Sequence, residues 1–215
     1  MKIISTNIGY PVIFSWKGRE VATGLFKYPV SSPIRLEKED VINDHVIDRR
    51  YHGGTDKACY LYSADNYDYW KSLYPKMEMQ FGMFGENLTV EGLSEENINI
   101  GDVFKIGNAV VQVTQPRQPC FKLNFRFGNS EITRQFIESG FPGVYVRVLY
   151  KGEVSTTDEM VLTERKESLS VKRVFELLYA EDVLQKEFEK IVKDPFLAEN
   201  CRKDLLKHRN KLLLF

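Results

Sequence analysis

The chain has 215 residues, 43% hydrophobic and 28% charged, an ordinary globular balance and long enough to bury a core. Thirty Lys and Arg offset thirty Asp and Glu, so there is no basic excess of the kind a nucleic-acid partner demands. Residues 1–14 lack a signal-peptide run, no stretch reaches the ~20 apolar residues of a membrane span, and three cysteines without CxxC spacing suit a reducing compartment; a soluble, cytoplasmic protein with no membrane partner is expected.

Residues 1–8 form a short apolar run closed by Gly9, Tyr10 and Pro11 and read as a strand. A β-rich run at 57–62 ends at Ser63. Beyond it Tyr67, Trp70 and Tyr74 fall at helical spacing with Leu73 beside them, which predicts a helix capped by Ser63 and stopped by Pro75. Residues 103–106 and 109–114 flank Gly107 and Asn108 and read as a hairpin, with Ala109, Val111 and Val113 on one face. A second hairpin is expected where Val144, Val146 and Val148 alternate with Tyr145, Arg147 and Leu149 ahead of Lys151, Gly152 and Glu153. Several short strands divided by glycine turns predict a closed or nearly closed barrel over residues 1–163.

Near Thr163 the period changes. A charged connector at 164–167 leads to three apolar stripes at helical spacing: Val171, Val174 and Leu178 behind a Ser170 cap; Leu184, Phe188 and Ile191; and Leu197, Cys201 and Leu205 behind Asp194 and Pro195. The expected architecture is mainly β with α, a barrel domain followed by a three-helix subdomain at 164–215.

Three segments carry chemistry. In QPRQPC (115–120) two prolines fix φ and withdraw two backbone donors, so the strand leaves its sheet and ends in a stiff loop with Arg117 three residues before Cys120. A nearby cation favours thiolate, the form that ligates metal or attacks an electrophile. Most free cysteines are instead small buried hydrophobes, and this segment alone supports both readings equally. Around Gly53 and Gly54, the residues Arg49, Arg50, His52 and Lys57 gather positive charge beside a backbone able to present N–H groups to a phosphate. Taken singly, that segment reads better as a turn with solvated flanks, and GxxxxGK[ST] is absent. In FGMFGENLT (81–89), Glu86 and Asn87 either hydrogen-bond a ligand or pin a loop, and alone the second reading is preferred. His45 and His208 read as surface, Cys59 and Cys201 as core, and no Cys/His spacing suits zinc.

In this order, HGGTDKA (52–58), FGENLTVEGL (84–93) with Ile100-Gly101-Asp102 behind it, and QPRQPC resemble the motif series of MOSC domains, in the free-standing YiiM-type branch. The resemblance covers nearly the whole chain and implies a mostly β-barrel fold with a three-helix segment. It also implies a molybdenum–pterin cofactor (molybdopterin) and reduction of N-hydroxylated compounds, hydroxylaminopurines among them, to amines. By motif Cys120 takes the role of molybdenum ligand. His52, Gly53, Gly54, Lys57, Glu86, Asn87 and Arg117 are the expected cofactor contacts, with His52 or Glu86 as candidate proton relays. The segment before the first motif fits loosely, through Asp44 and Asp48, and no role passes to Arg49 or Arg50. No flavin, haem or iron–sulfur motif is present and pyridoxal phosphate is not expected, so electrons must come from a separate reductase.

Two other readings keep the same residues. In one, Cys120 carries a persulfide and transfers sulfur without a bound metal. In the other, the barrel is a non-catalytic pterin- or anion-binding module with the helices as docking surface. The apolar end at 212–215 packs either on its own barrel or across a homodimer.

Overall fold

The computed structural model describes residues 1–47, 49, 53–182 and 184–212. In chain order the elements are β1 (Lys2–Gly9), β2 (Val12–Trp16), β3 (Arg19–Thr23), β4 (Lys27–Val30), β5 (Ile34–Leu36), β6 (Cys59–Ser63), α1 (Tyr67–Leu73) and β7 (Leu88–Glu91). There follow β8 (Val103–Ile106), β9 (Ala109–Pro116), α2 (Lys122–Phe127), α3 (Ile132–Ser139), β10 (Val144–Tyr150), β11 (Gly152–Val154), β12 (Met160–Glu164), α4 (Val171–Leu177), α5 (Gln185–Val192) and α6 (Glu199–Leu212).

Eight strands form one sheet in the order β12-β8-β9-β10-β6-β7-β1-β4. Every pairing is antiparallel except β6 with β7, which are parallel and joined by the crossover that contains α1. The expected barrel is not closed by a continuous ladder, because β12 and β4 are the two ends of this sheet. The sheet curls far enough for an isolated bridge, Lys2 to Glu159, with Ile3 donating to Asp158 O at 2.9 Å and Thr157 to Ile3 O at 2.7 Å. The strands that pair at the ends are short, and β12 keeps only Met160 buried, so side-chain burial gives the edges little reason to join further.

The β8–β9 hairpin forms as expected, with Ile106 opposite Ala109 and Gly107 at φ +53° in the turn. A Cβ at Gly107 would lie 2.6 Å from Glu153 O, so the turn has both a conformational and a steric reason for glycine. The second expected hairpin does not form. β10 pairs with β9 and β6, while β11 turns away and pairs with β5. The glycine at 152 permits that departure: a Cβ there would meet Asn108 C at 2.3 Å.

β6 explains why one five-residue run can be buried throughout. Cys59 and Leu61 face a large aliphatic core shared with α4, α5 and α6, while Tyr60 and Tyr62 face an aromatic core. That second core is walled by α1, α2 and α3. Trp70 donates Nε1 to Tyr62 OH at 2.7 Å, and Phe84, Phe127 and Phe136 pack around them. α2 and α3 interrupt the region expected to be strands, each burying an i, i+4 pair (Leu123 and Phe127, Ile132 and Phe136) and each ending on a left-handed glycine.

Helix starts differ in detail from the sequence expectations. Ser170 does cap α4, accepting from Arg173 N at 3.2 Å. Ser63 caps nothing; it belongs to β6, and Tyr67 N is taken by Ala64 O at 3.0 Å. α6 begins at Glu199, not at Pro195; Asp194 accepts from Phe196 N in the turn before it.

Two stability predictions follow from these cores. Phe136→Ala, at a fully buried ring, lowers unfolding free energy in urea by about 3–5 kcal/mol. Burial raises the Glu95 carboxyl above its ordinary 4.5 while it accepts from Gly143 N at 3.0 Å. The folded chain therefore favours protonated Glu95. Its contribution is full below about pH 4.5 and is lost as pH rises through the folded value. Thermal melts of wild type should weaken across that window more than those of Glu95→Gln.

Candidate active site

The three motifs meet at Arg117. Its guanidinium is buried, donates to Phe84 O in the second motif, and lies 4.9 Å from the ring centroid of Tyr60, just beyond the first motif. Phe136 supports it from 5.8 Å. Burial works against the charge, but Tyr60, Tyr145 and Cys120 around it favour the charged form and the net direction is upward. The QPRQPC loop is thus anchored at Arg117, and again where Gln118 reaches Asp204 of α6 at 2.8 Å. Cys120 sits half-buried at its end.

The first motif is held from the other side. Its short 3-10 turn, Thr55–Lys57, is pinned by Thr114 Oγ1 donating to Asp56 O at 2.6 Å and by an ion pair of Arg147 with Asp56 at 2.8 Å. That places the Lys57 ammonium 5.8 Å from the Tyr145 ring. Burial first, and then the charge of Arg117, hold Lys57 below the ordinary lysine range.

Between these anchors opens a cleft of about 610 Å3, its mouth included. Gly53, Lys57, Asn87, Arg117 and Cys120 line it, so five of the eight residues singled out in the sequence come together. Glu86 does not line it. Its carboxylate is fully buried and accepts from Tyr67 OH at 2.5 Å, Gly82 N at 2.8 Å, Thr89 Oγ1 at 3.0 Å and Phe84 N at 3.1 Å. Glu86 therefore pins the loop, and burial raises its carboxyl. Gly54 is also absent from the lining and donates its N–H to Glu39 O at 3.1 Å. His52, together with Asp48, Arg50 and Tyr51, lies outside the described residues.

Sequence reading gave no site role to much of the wall: Lys27, Asp44 (named only as a loose family match), His45, Tyr60, Lys122 and Tyr145 also line the cleft. Lys27 and Asp44 form a buried ion pair. Asp44 further accepts from Gly9 N at 2.8 Å and from Asn87 Nδ2 at 3.0 Å. No local signal marks Lys27, which sits in an ordinary strand, and Asp44 acquires its role only when a chain segment forty residues away folds against it. His45, expected at the surface, is exposed but touches the cleft, with Nδ1 2.9 Å from Gly9 O. Gly85 is required by its backbone, which turns at φ +80°.

Among the described lining residues four cationic side chains face one carboxylate. With one thiol and no cluster of three His, Cys, Asp or Glu side chains among the described residues, the site suits an anionic ligand better than a bare metal ion. Among the lining groups, Lys57, Lys122 and the Gly53 backbone suit a phosphate, and Cys120 suits a thiophilic metal carried by the same ligand.

A MOSC domain family model matches residues 48–161. The chain is 38% identical to the uncharacterized protein YflK of Bacillus subtilis over 212 residues, 98% of this chain and 96% of YflK. A reductase of Gibberella moniliformis is 34% identical over 151 residues, 69% of this chain but 27% of that protein. The crystal structure of YiiM from Geobacillus stearothermophilus superposes with a TM-score of 0.80 at 32% identity, covering 96% of this chain and 98% of that one.

The ion pair in the cleft wall can be tested apart from function. Asp44→Ala, which strands a buried ammonium, should lower urea-unfolding free energy by about 3–5 kcal/mol. Adding Lys27→Met should recover most of that loss.

Proposed function

Because the chain belongs to the MOSC domain family, in its YiiM-type branch, we propose that it is a molybdenum-cofactor-dependent reductase of N-hydroxylated compounds, hydroxylaminopurines among them. The observation that carries this reading is the convergence of three separate motifs on one cation-lined cleft that ends in the Cys120 thiol. The reductase name of the fungal relative adds support.

When bound, the molybdenum cofactor supplies the two-electron chemistry by which an N–OH group, with two electrons and two protons, becomes an amine and water. The chain's own residues do the rest. Cys120 holds the metal through sulfur, a soft ligand suited to it. Lys57, Lys122 and the Gly53 backbone hold the cofactor's phosphate. Arg117 keeps positive charge beside Cys120 and fixes the loop that carries it. Asn87 and the Lys27–Asp44 pair form the polar floor, and Tyr60 and Tyr145 close the apolar wall against water. Electrons come from a separate reductase.

Elemental mass spectrometry decides the matter. Protein purified without oxygen from cells that make the cofactor should contain near-stoichiometric molybdenum, and Cys120→Ala prepared alongside should lose it together with all hydroxylamine reduction. Metal-free wild type would instead favour a persulfide on Cys120. Metal retained and function intact in Cys120→Ala would favour a non-catalytic binding module.

A further inference from the structure

Beside the cleft runs a second, shallower groove of about 1000 Å3, its open side included. Ile47 and Lys122 line both, so the two adjoin. The groove's apolar walls are Val21 and Ala22 of β3, Ile47, and Phe121, the residue that follows Cys120. Glu20 and Arg49 put polar groups on its rim.

Phe121 is 38% exposed and Ile47 43% exposed, and the two share this groove. The orientation of the Phe121 ring is nonetheless set. Trp16, at the end of β2, tilts against it with centroids 5.3 Å apart and planes at 33°. Phe14 stacks on Phe125 of α2 at 3.9 Å and 13°. β2 and β3 form a separate two-stranded sheet, so these ring pairs bring the hairpin to α2 where no ladder does. The result is a preformed aromatic surface directly beyond the thiol.

We propose that this groove holds the flat heteroaromatic ring of the substrate, with Phe121 as its specificity-determining contact. The inference rests on the reductase reading above, and it places the N–OH group in the cleft with the ring extending outward across Phe121. Val21, Ala22 and Ile47 cover the ring's edge and second face, and Glu20 accepts from its N–H groups. A heteroaromatic ring has a π-face to lay on Phe121, whereas a small alkylhydroxylamine has none and gains little there.

The test compares a hydroxylaminopurine with N-methylhydroxylamine, using molybdenum-loaded wild type, Phe121→Ala and Phe121→Tyr with reduced methyl viologen as donor. Calorimetric titration of each variant with the aminopurine product runs in parallel. Phe121→Ala should lower the purine-to-alkyl ratio of kcat/KM by about tenfold or more and weaken product binding in step, and Phe121→Tyr should restore both. An unchanged ratio with unchanged product affinity overturns the proposal. Wild type that reduces neither compound sinks the reductase reading alone. Calorimetry then still decides the groove: weakened aminopurine binding in Phe121→Ala supports it, and equal binding overturns it.

Discussion

Asn87 occupies the point at which three distant segments must be joined without a regular ladder. Its backbone N–H donates to Tyr60 O at 2.8 Å and its carbonyl accepts from Asn7 N at 2.7 Å, so it bridges β6 and β1 just where β7 begins between them. Its side chain accepts from Tyr60 N at 3.3 Å and donates to Asp44 at 3.0 Å. From there a buried polar chain runs on: Asn7 Nδ2 to Thr89 Oγ1 at 3.1 Å, Thr89 Oγ1 to Glu86 at 3.0 Å, and Tyr67 OH to Glu86 at 2.5 Å. Each group is buried, so each unmade bond would leave a desolvated donor or acceptor at a cost of about 1–3 kcal/mol. A network satisfied throughout specifies one arrangement of the loops above it.

That arrangement is the cleft. The same side chains that satisfy the interior also hold its floor, so stability and site geometry are not separable here. Glu86 shows the division of labour within a single motif: it looks like a ligand group in sequence, yet its four donors leave it nothing to offer a ligand. The loop it stabilises presents Gly85 and Asn87 to the cleft instead. Arg117 divides its role differently, bonding to the loop through one nitrogen while its charge remains at the cleft wall beside Cys120.

Much of the secondary structure was legible because its signals are local. The β8–β9 turn needs a positive φ that Gly107 supplies, and Ala109, Val111 and Val113 bury the face their alternation marked out. α2 and α3 escaped notice although each buries an i, i+4 pair and Gly128 and Gly140 end them in left-handed geometry. The strand at 152–154 was assigned to the wrong neighbour. A short turn favours a local hairpin, but β5 offers the register that buries Val154 opposite Ile34, and burial decides.

The residue chemistry is local: a thiol at the end of a proline-stiffened loop, cations around paired glycines, and a glycine-bracketed turn before a strand are all legible in the chain. Order and spacing along the chain were enough to mark these as one family pattern, because each depends on backbone constraints that act over a few residues. Packing between distant segments is what brings Lys27, Asp44, Tyr60 and Tyr145 into the cleft with them, keeps Glu86 out, and sets Phe121 on a groove walled by a distant hairpin. Those outcomes depend on which segments pack together and on which buried groups must find partners, and neither is encoded within a short window of sequence.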